Sequence, residues 1–222
     1  MILTNRLFER VPPSREAKNI YIFCEGAKRE YMYFEYFREK DSRINVEVHK
    51  LHPHEDNSPS GLYKIAEHSI IESDDNPNPK YDFLENDEVW IVLDIDPDKA
   101  ESRDPQINNI IKKIQKRKNW FLVRSNPCFE VWLYYHGYHR KPEFDNIENC
   151  SSWKPFVNEA FQGGFDSRKH PVYIQKASEN AKANFETIYN QPDLGCTEVY
   201  RLADSIIPLL KDKIDRVLKT IG

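Results

Sequence analysis

Three short apolar runs alternate with more polar stretches along this chain, and each is the length of a buried strand. They cover residues 20–24, 88–93 and 120–123, and residues 46–51 are a candidate for an additional strand. Nearly continuous runs of β-branched and aromatic residues are typical of parallel strands that are covered on both faces. The pattern therefore predicts a buried, mostly parallel sheet.

Apolar residues at helical spacing predict helices between and after these strands. In residues 28–40 the spacing is carried by Tyr31, Phe34 and Phe37, and an isoleucine stripe follows the second strand. The stripe consists of Ile107, Ile110, Ile111 and Ile114, and further helices are predicted over residues 129–135, 175–189 and 197–219. Turn-forming residues predict surface loops at 53–61 and 73–80. Strand, helix, strand implies a parallel crossover, so the predicted fold class is α/β with helices flanking a central sheet.

The predicted organisation is one domain over residues 19–222, preceded by an N-terminal extension over residues 1–18. With 39% hydrophobic residues among 222, the chain can bury a sizeable core without disulfides. No apolar run approaches the roughly 20 residues that cross a bilayer, and charges at Arg6, Glu9 and Arg10 interrupt the N-terminus. We therefore expect a cytoplasmic protein without membrane contact. The four cysteines lack CxxC spacing and are interpreted as small buried residues.

The charge balance limits how this chain meets nucleic acid. A net charge of -4 argues against non-specific coating, which requires many neutralised phosphates, so any contact is local or shared with a partner. A basic cluster follows the isoleucine stripe, and we interpret it as an exposed helix face, with a phosphate track as the alternative. It comprises Lys112, Lys113, Lys116, Arg117 and Lys118. His49, His52 and His54 have no zinc-binding spacing that we can defend.

Acidic residues follow the two clearest strands at the point where each ends. Glu25 comes after the first, and Asp94, Asp96 and Asp98 come at the end of the second. Open α/β sheets hold ligands at this edge. Alternation along an extended segment would place Asp94 and Asp96 on one side, about 7 Å apart. Hard oxygen ligands favour Mg²⁺ or Mn²⁺ over zinc. The alternative is that residues 96–98 form only a turn.

Several motifs around these acids resemble a known family. An apolar strand leads into Glu25-Gly26 with Glu30 five positions on, and a second strand leads into Asp94-Ile95-Asp96, as in the Toprim domain of topoisomerases, primases and overcoming-lysogenization-defect nucleases. Two further segments, residues 125–133 followed by His136, and residues 196–202, resemble RloB-like proteins. These are Toprim-related proteins encoded beside an RloA-type ATPase in bacterial phage-defence loci. The resemblance runs from about residue 19 to the final helix.

The resemblance implies a Toprim-like fold and metal-assisted cleavage of RNA or DNA. It implies that Asp94 and Asp96 are ligands of Mg²⁺ or Mn²⁺ and that Glu25 is a general acid, a general base or a ligand. Glu130 is the next candidate for catalysis and metal binding, because it follows the strand at 120–123 by a short turn. Its alternative role is that of an acid favoured at a helix N-terminus. The resemblance also implies an ATPase partner, and an oligomer is compatible with it.

Other roles stay open at this stage. Glu30 matches a family position, or it is only a first-turn acid, and Arg29 stands where the family leads us to expect Thr. Ser125 and Lys176 are candidates for phosphate contact, with a turn serine and a solvated lysine as the alternatives. His136 is expected to be a hydrogen-bonded core or boundary residue.

Two other functions compete with the nuclease. The first is a catalytically inactive Toprim-like binding or regulatory module, and the second is another Mg²⁺-dependent phosphoryl-transfer enzyme. The sequence has no P-loop, so ATP hydrolysis would belong to another chain.

Overall fold

The computed structural model describes residues 10–143 and 145–221, and it confirms an α/β fold with an all-parallel central sheet. The strands of this sheet are β1 (Lys18–Cys24), β2 (Ile44–Val48), β3 (Glu88–Asp94) and β4 (Trp120–Ser125). Their order is β2-β1-β3-β4. In the register, Ile22 pairs with Val48 on one side and with Trp90 on the other. This arrangement is consistent with the Toprim-like fold that the resemblance implies.

Helices cover both faces of the sheet. They are α1 (Arg29–Glu35), α2 (Pro59–Ile70), α3 (Ala100–Ile114), α4 (Glu130–Tyr134), α5 (Cys150–Glu159), α6 (Ile174–Ala183) and α7 (Val199–Ile221). A two-stranded antiparallel hairpin joins α6 to α7, formed by β5 (Thr187–Ile188) and β6 (Gln191–Pro192). Short 3-10 helices lie at Pro97–Lys99 and His170–Tyr173. Within the described residues, no helix combines the length and the apolar character that crossing a bilayer requires.

Alternate residues of each strand face two separate cores. Ile20, Ile22 and Cys24 of β1 pack on the side of α1, α4, α6 and α7. Tyr21 and Phe23 pack on the opposite side, against α2 and α3. The connection from β1 to β2 therefore crosses one face, while the later connections cross the other. The strand order reverses between β1 and β3, and open α/β sheets form their ligand crevices at such a point.

Several predicted boundaries are wrong for identifiable reasons. The helix predicted over 28–40 ends at Glu35, and Glu39 has a φ of 53°, which cannot continue a right-handed helix. The strand predicted over 46–51 begins and ends earlier, because β2 pairs with β1 only from Ile44 to Val48. Residues 53–61 are not a loop throughout. Ser58 accepts a hydrogen bond from the Gly61 amide and caps α2, a helix that the apolar pattern did not reveal.

The helix predicted over 175–189 is also wrong in its second half. It ends at Ala183, and the chain turns at Tyr189 and Asn190, which both have positive φ. Consecutive left-handed residues match the turn that joins twisted antiparallel strands. The remaining predicted helices are confirmed with shifts of one or two residues. The division into residues 1–18 and 19–222 stays a prediction, since residues 1–9 lie outside the described part and β1 starts at Lys18.

The two segments that carry the family resemblance meet at the outer edge of β4. Ser125 is fully buried, and its hydroxyl lies 2.8 Å from the hydroxyl of Thr197. Arg124 donates two hydrogen bonds of 2.8 and 3.0 Å to the carboxylate of Glu198, and both side chains are buried. These contacts close the sheet edge and fix the start of α7. They also leave the Ser125 hydroxyl unable to contact phosphate in this conformation.

His136 is confirmed as a hydrogen-bonded core residue. It is 1% exposed, with Nδ1 3.0 Å from the carbonyl of Trp132 and Nε2 3.0 Å from the hydroxyl of Tyr33. A neutral imidazole satisfies both contacts if Nδ1 donates and Nε2 accepts. Burial lowers the pKa of His136 to about 3, which keeps the ring neutral. This residue therefore stabilises the packing of α1 on α4.

Candidate active site

Acidic, basic and thiol side chains from different parts of the chain line one cavity at the carboxyl edge of the sheet. The cavity has a volume of about 370 Å³. Its lining consists of Glu30, Asp94, Glu130, Arg29, Lys154, Cys128 and Cys150. The first three come from the segments that follow or end β1, β3 and β4. Parallel strands therefore bring these carboxylates to one edge. Of the four residues predicted for the site, Asp94 and Glu130 line the cavity, whereas Glu25 and Asp96 do not.

Asp94 is the last residue of β3 and the most strongly perturbed carboxyl group of the cavity. Burial raises its pKa well above the usual range, and the nearby charges of Glu30 and Glu25 raise it further. Its backbone amide lies 3.4 Å from Oε2 of Glu25. Removal from water and the proximity of like charges both disfavour ionisation, and a cation bound at this point would reverse both effects.

Glu30 lies in the first turn of α1 and faces the same cavity. The residue is 8% exposed, and its carboxylate rests against the backbone of Gly26. A Cβ atom at position 26 would lie 1.6 Å from Oε2 of Glu30. Burial, aided by Glu130 and Glu25, raises the pKa of Glu30 to about 7. The glycine of the Glu-Gly motif is thus what allows this carboxylate into the site.

Glu130 begins α4 and is held by an arginine from α1. Nη1 of Arg29 donates a 2.9 Å hydrogen bond to Oε1 of Glu130, which is itself 9% exposed. Arg29, which stands where the family pattern leads us to expect Thr, therefore places a positive charge beside Glu130 inside the site. The ion pair also links α1 to α4 across the cavity.

Glu25 is engaged by a buried arginine of α3. Arg103 donates hydrogen bonds of 2.8 and 2.6 Å to the two carboxylate oxygens of Glu25, and another of 2.6 Å to the carbonyl of Asp94. The Arg103 side chain is only 6% exposed. It therefore ties α3 to the ends of β1 and β3. Glu25 borders the acidic cavity but is not part of its lining.

Asp96 departs from the alternation that the sequence predicts. β3 ends at Asp94, and Asp96 has a φ of 50°, so the segment is no longer extended there. Its Oδ2 lies 2.6 Å from Nζ of Lys99, and the residue does not line the cavity. The placement of Asp94 and Asp96 on one side of an extended strand is therefore wrong. Asp98 is exposed on the 3-10 helix that follows.

The donor chemistry fits a hard divalent cation, although the side chains are not arranged as a finished site. Glu30, Asp94 and Glu130 are the residues that would hold it, because they share the cavity and offer carboxylate oxygens. Among the described residues, no three His, Cys, Asp or Glu side chains lie close enough to hold a metal ion as they stand. Basic groups engage Glu25, Asp96 and Glu130 instead.

Four residues of the cavity were not predicted to belong to the site, namely Arg29, Cys128, Cys150 and Lys154. Lys154 lies one helical turn after Cys150 on α5, and both line the site. Asn149 caps this helix by accepting a hydrogen bond from the Ser151 amide, and an asparagine at this point is the signal in the sequence that could have revealed the start of α5. The expectation of buried cysteines holds for Cys24, Cys128 and Cys196 and is wrong for Cys150, which is partly exposed.

The predicted phosphate contacts lie elsewhere. Lys176 is exposed on α6. The basic cluster lies at the far end of α3, and Lys112 is twelve residues beyond Ala100, or about 18 Å along the helix. Lys112 and its neighbours are largely exposed, which agrees with a solvated helix face.

Comparison with known proteins identifies a family. The family model of RloB-like proteins matches residues 20–206, which include every side chain of the cavity. No curated protein and no solved structure matches the chain.

The raised pKa of Glu30 predicts a stability change that depends on pH. An acid whose pKa is higher in the folded protein destabilises the fold progressively as pH rises from about 4.5 to 7, and the penalty is constant above that. Glu30→Gln should therefore stabilise the metal-free protein by up to about 3 kcal/mol at pH 8 and by little at pH 4.5. Urea denaturation in EDTA measures this, with the exposed Glu101→Gln as control. A gain that is equal at both pH values would contradict the assignment.

The Arg103–Glu25 pair predicts an asymmetric mutational effect. Arg103→Leu leaves the carboxylate of Glu25 without its partner, and we expect a loss of about 3–5 kcal/mol in the free energy of unfolding. The double variant Arg103→Leu Glu25→Leu should recover much of this loss, because no uncompensated charge remains. Chemical denaturation of the four proteins in a double-mutant cycle tests this. Additive losses would show that the two side chains are not coupled.

Proposed function

The chain belongs to the RloB-like protein family, and from that premise we propose that it is a nuclease that cuts phosphodiester bonds of RNA or DNA with Mg²⁺ or Mn²⁺. The observation that carries this proposal is the meeting of Glu30, Asp94 and Glu130 in one cavity with two basic residues. Carboxylates from three segments, brought to the ligand-binding edge of a parallel sheet, are suited to a hard cation.

The cavity also has the charge balance that a phosphodiester requires. When ionised, its three carboxylates together with Arg29 and Lys154 carry one net negative charge. A divalent cation would change this to one net positive charge, which complements the single negative charge of a phosphodiester. Bound there, the metal would polarise a phosphoryl oxygen and lower the pKa of a bound water. The affinity of the site for its substrate would then depend on the cation.

In this proposal, one group of residues holds the cation and another contacts the phosphate of the substrate. Asp94 is fixed by β3, while Glu30 and Glu130 approach it from the starts of α1 and α4. Arg29 leaves Glu130 and contacts a phosphate oxygen, joined by Lys154 from α5. Glu25 and Asp96 remain predicted as catalytic residues and metal ligands. To reach the cation, Glu25 would have to leave Arg103 and Asp96 would have to leave Lys99.

One observation favours the binding or regulatory module as a second candidate. The carboxylates of Glu25, Asp96 and Glu130 already have basic partners at 2.6–2.9 Å, and a site satisfied in this way can persist without a metal. Such a module would keep its cellular effect after neutral substitutions of the carboxylates. A nuclease would lose that effect.

The direct test is cleavage by the purified chain. Labelled RNA, labelled DNA and free nucleotides are each offered with Mg²⁺, Mn²⁺ or EDTA. We expect cleavage of a polynucleotide only with the metals, and a loss of about 100-fold or more in Asp94→Asn, Glu30→Gln and Glu130→Gln. Glu101→Gln on the exposed face of α3 is the matched control. Turnover of free nucleotides alone would favour another phosphoryl-transfer enzyme, and cleavage that survives EDTA would refute the metal dependence.

The family resemblance also motivates a role as the effector of a bacterial phage-defence system in the cytoplasm, restrained by an RloA-type ATPase partner. Co-expression with the neighbouring ATPase, followed by purification of the complex, allows cleavage to be compared with that of the chain alone. We expect slower cleavage by the complex. Equal rates would argue against restraint by the partner.

A further inference from the structure

Two cysteines from different segments of the chain meet at the wall of the acidic cavity. Cys128 lies between β4 and α4, Cys150 is the first residue of α5, and both line the cavity. The thiol of Cys128 donates a hydrogen bond to the sulfur of Cys150. Both cysteines are free thiols. Two thiols in direct contact are the arrangement from which a disulfide forms with little movement.

The two thiols differ in their access to solvent. Cys150 is partly exposed, whereas Cys128 is only 2% exposed. An oxidant that arrives from solvent therefore reaches Cys150 first. Cys128 needs no access of its own, because it already contacts the sulfur of Cys150. An accessible thiol with a second thiol poised beside it is the usual arrangement of an oxidation-sensitive cysteine pair.

The other two cysteines of the chain have neither feature. Cys24 and Cys196 are each 1% exposed, and neither lines the cavity. The thiol of Cys196 donates a 3.2 Å hydrogen bond to the carbonyl of Asn184, and the thiol of Cys24 faces the carbonyl of Gly26. Buried thiols of this kind are inert, so they serve as internal controls for the reactivity of the pair.

A bond between Cys128 and Cys150 would act directly on the acidic cavity. Cys128 precedes Glu130 by two residues, and Lys154 lies one helical turn after Cys150 on α5. The sulfur atoms of a disulfide are about 2.05 Å apart, much closer than two thiols in contact. The bond would therefore draw the start of α5 towards the segment that leads into α4. Glu130 and Lys154 could then no longer move apart to admit a substrate.

We propose that hydrogen peroxide joins Cys128 to Cys150 in a reversible disulfide, which holds the acidic cavity too narrow for a phosphodiester. The sulfur of Cys150 attacks one peroxide oxygen, so that an S–O bond forms, the O–O bond breaks, and water leaves with the thiol proton. The sulfur of Cys128 then attacks that of Cys150. An S–S bond forms, the S–O bond breaks, and the hydroxyl leaves as a second water with the remaining thiol proton.

The oxidation balances, because two thiols lose two electrons and one peroxide is reduced to two water molecules. A dithiol reductant reverses the bond by thiol–disulfide exchange. The effect on the cavity rests on the proposed function, because it takes a phosphodiester as the substrate. Formation of the disulfide itself does not depend on that function.

Mass spectrometry of the whole chain tests the disulfide without a cleavage assay. After hydrogen peroxide treatment in EDTA, we expect a loss of two hydrogen atoms and a peptide that links Cys128 to Cys150. Cys24 and Cys196 should remain free thiols, and dithiothreitol should restore the original mass. In Cys150→Ser, the matched control, Cys128 should stay reduced. No change, a stable oxygen adduct on Cys150 with Cys128 reduced, or a different cysteine pair would overturn the inference.

The effect on the cavity is measured with labelled RNA and DNA after the peroxide has been removed and excess Mg²⁺ added. We expect the oxidised chain to cleave about tenfold or more slowly, because displacements of about 1 Å in an active site suffice for such losses. Dithiothreitol should restore the rate, and Cys150→Ser should cleave like the reduced wild type before and after peroxide. An unchanged rate in the disulfide form would overturn the inhibitory effect. Absence of cleavage by the reduced chain would remove the nuclease, while the mass measurement would still decide the disulfide.

Discussion

Counter-charge from arginine side chains is the constraint on which the carboxyl edge of this structure depends. A parallel sheet brings the ends of β1, β3 and β4 together, and the acids at those ends repel one another when they are out of water. Arg103 offsets this repulsion by binding Glu25 and the carbonyl of Asp94 with one buried guanidinium. Arg29 does the same for Glu130. Glu25 and Glu130 are therefore compensated without a bound metal, whereas burial and the neighbouring carboxylates raise the pKa of both Asp94 and Glu30.

The order of the strands determines where the acidic cavity forms. The connections of the sheet change face between β1 and β3, so the helix layers separate at the carboxyl ends of these two strands. Asp94 lies at this separation, and Glu30 reaches it because Gly26 has no side chain to occupy the space. Backbone topology and one absent Cβ atom thus account for most of the cavity's position.

The sequence was sufficient to predict the sheet, its parallel connections and the edge that holds the acids. Strands that are buried on both faces need nearly continuous apolar residues. The apolar runs at 20–24, 88–93 and 120–123 therefore correspond to strands of the structure. It was insufficient for Asp96, because a single left-handed residue ends the alternation on which its placement relied. Lys154 was missed because its approach to the cavity depends on how α5 packs, which is a long-range contact without a local pattern.

The hairpin between α6 and α7 is anchored through its backbone and not through its own side chains. Arg124 and Asn126 hold it through the carbonyl oxygens of Asn190 and Pro192, which are backbone groups. These anchors place no requirement on the side chains at positions 188, 189 and 191. Side chains at these positions can therefore be exchanged while the anchored backbone of the hairpin persists.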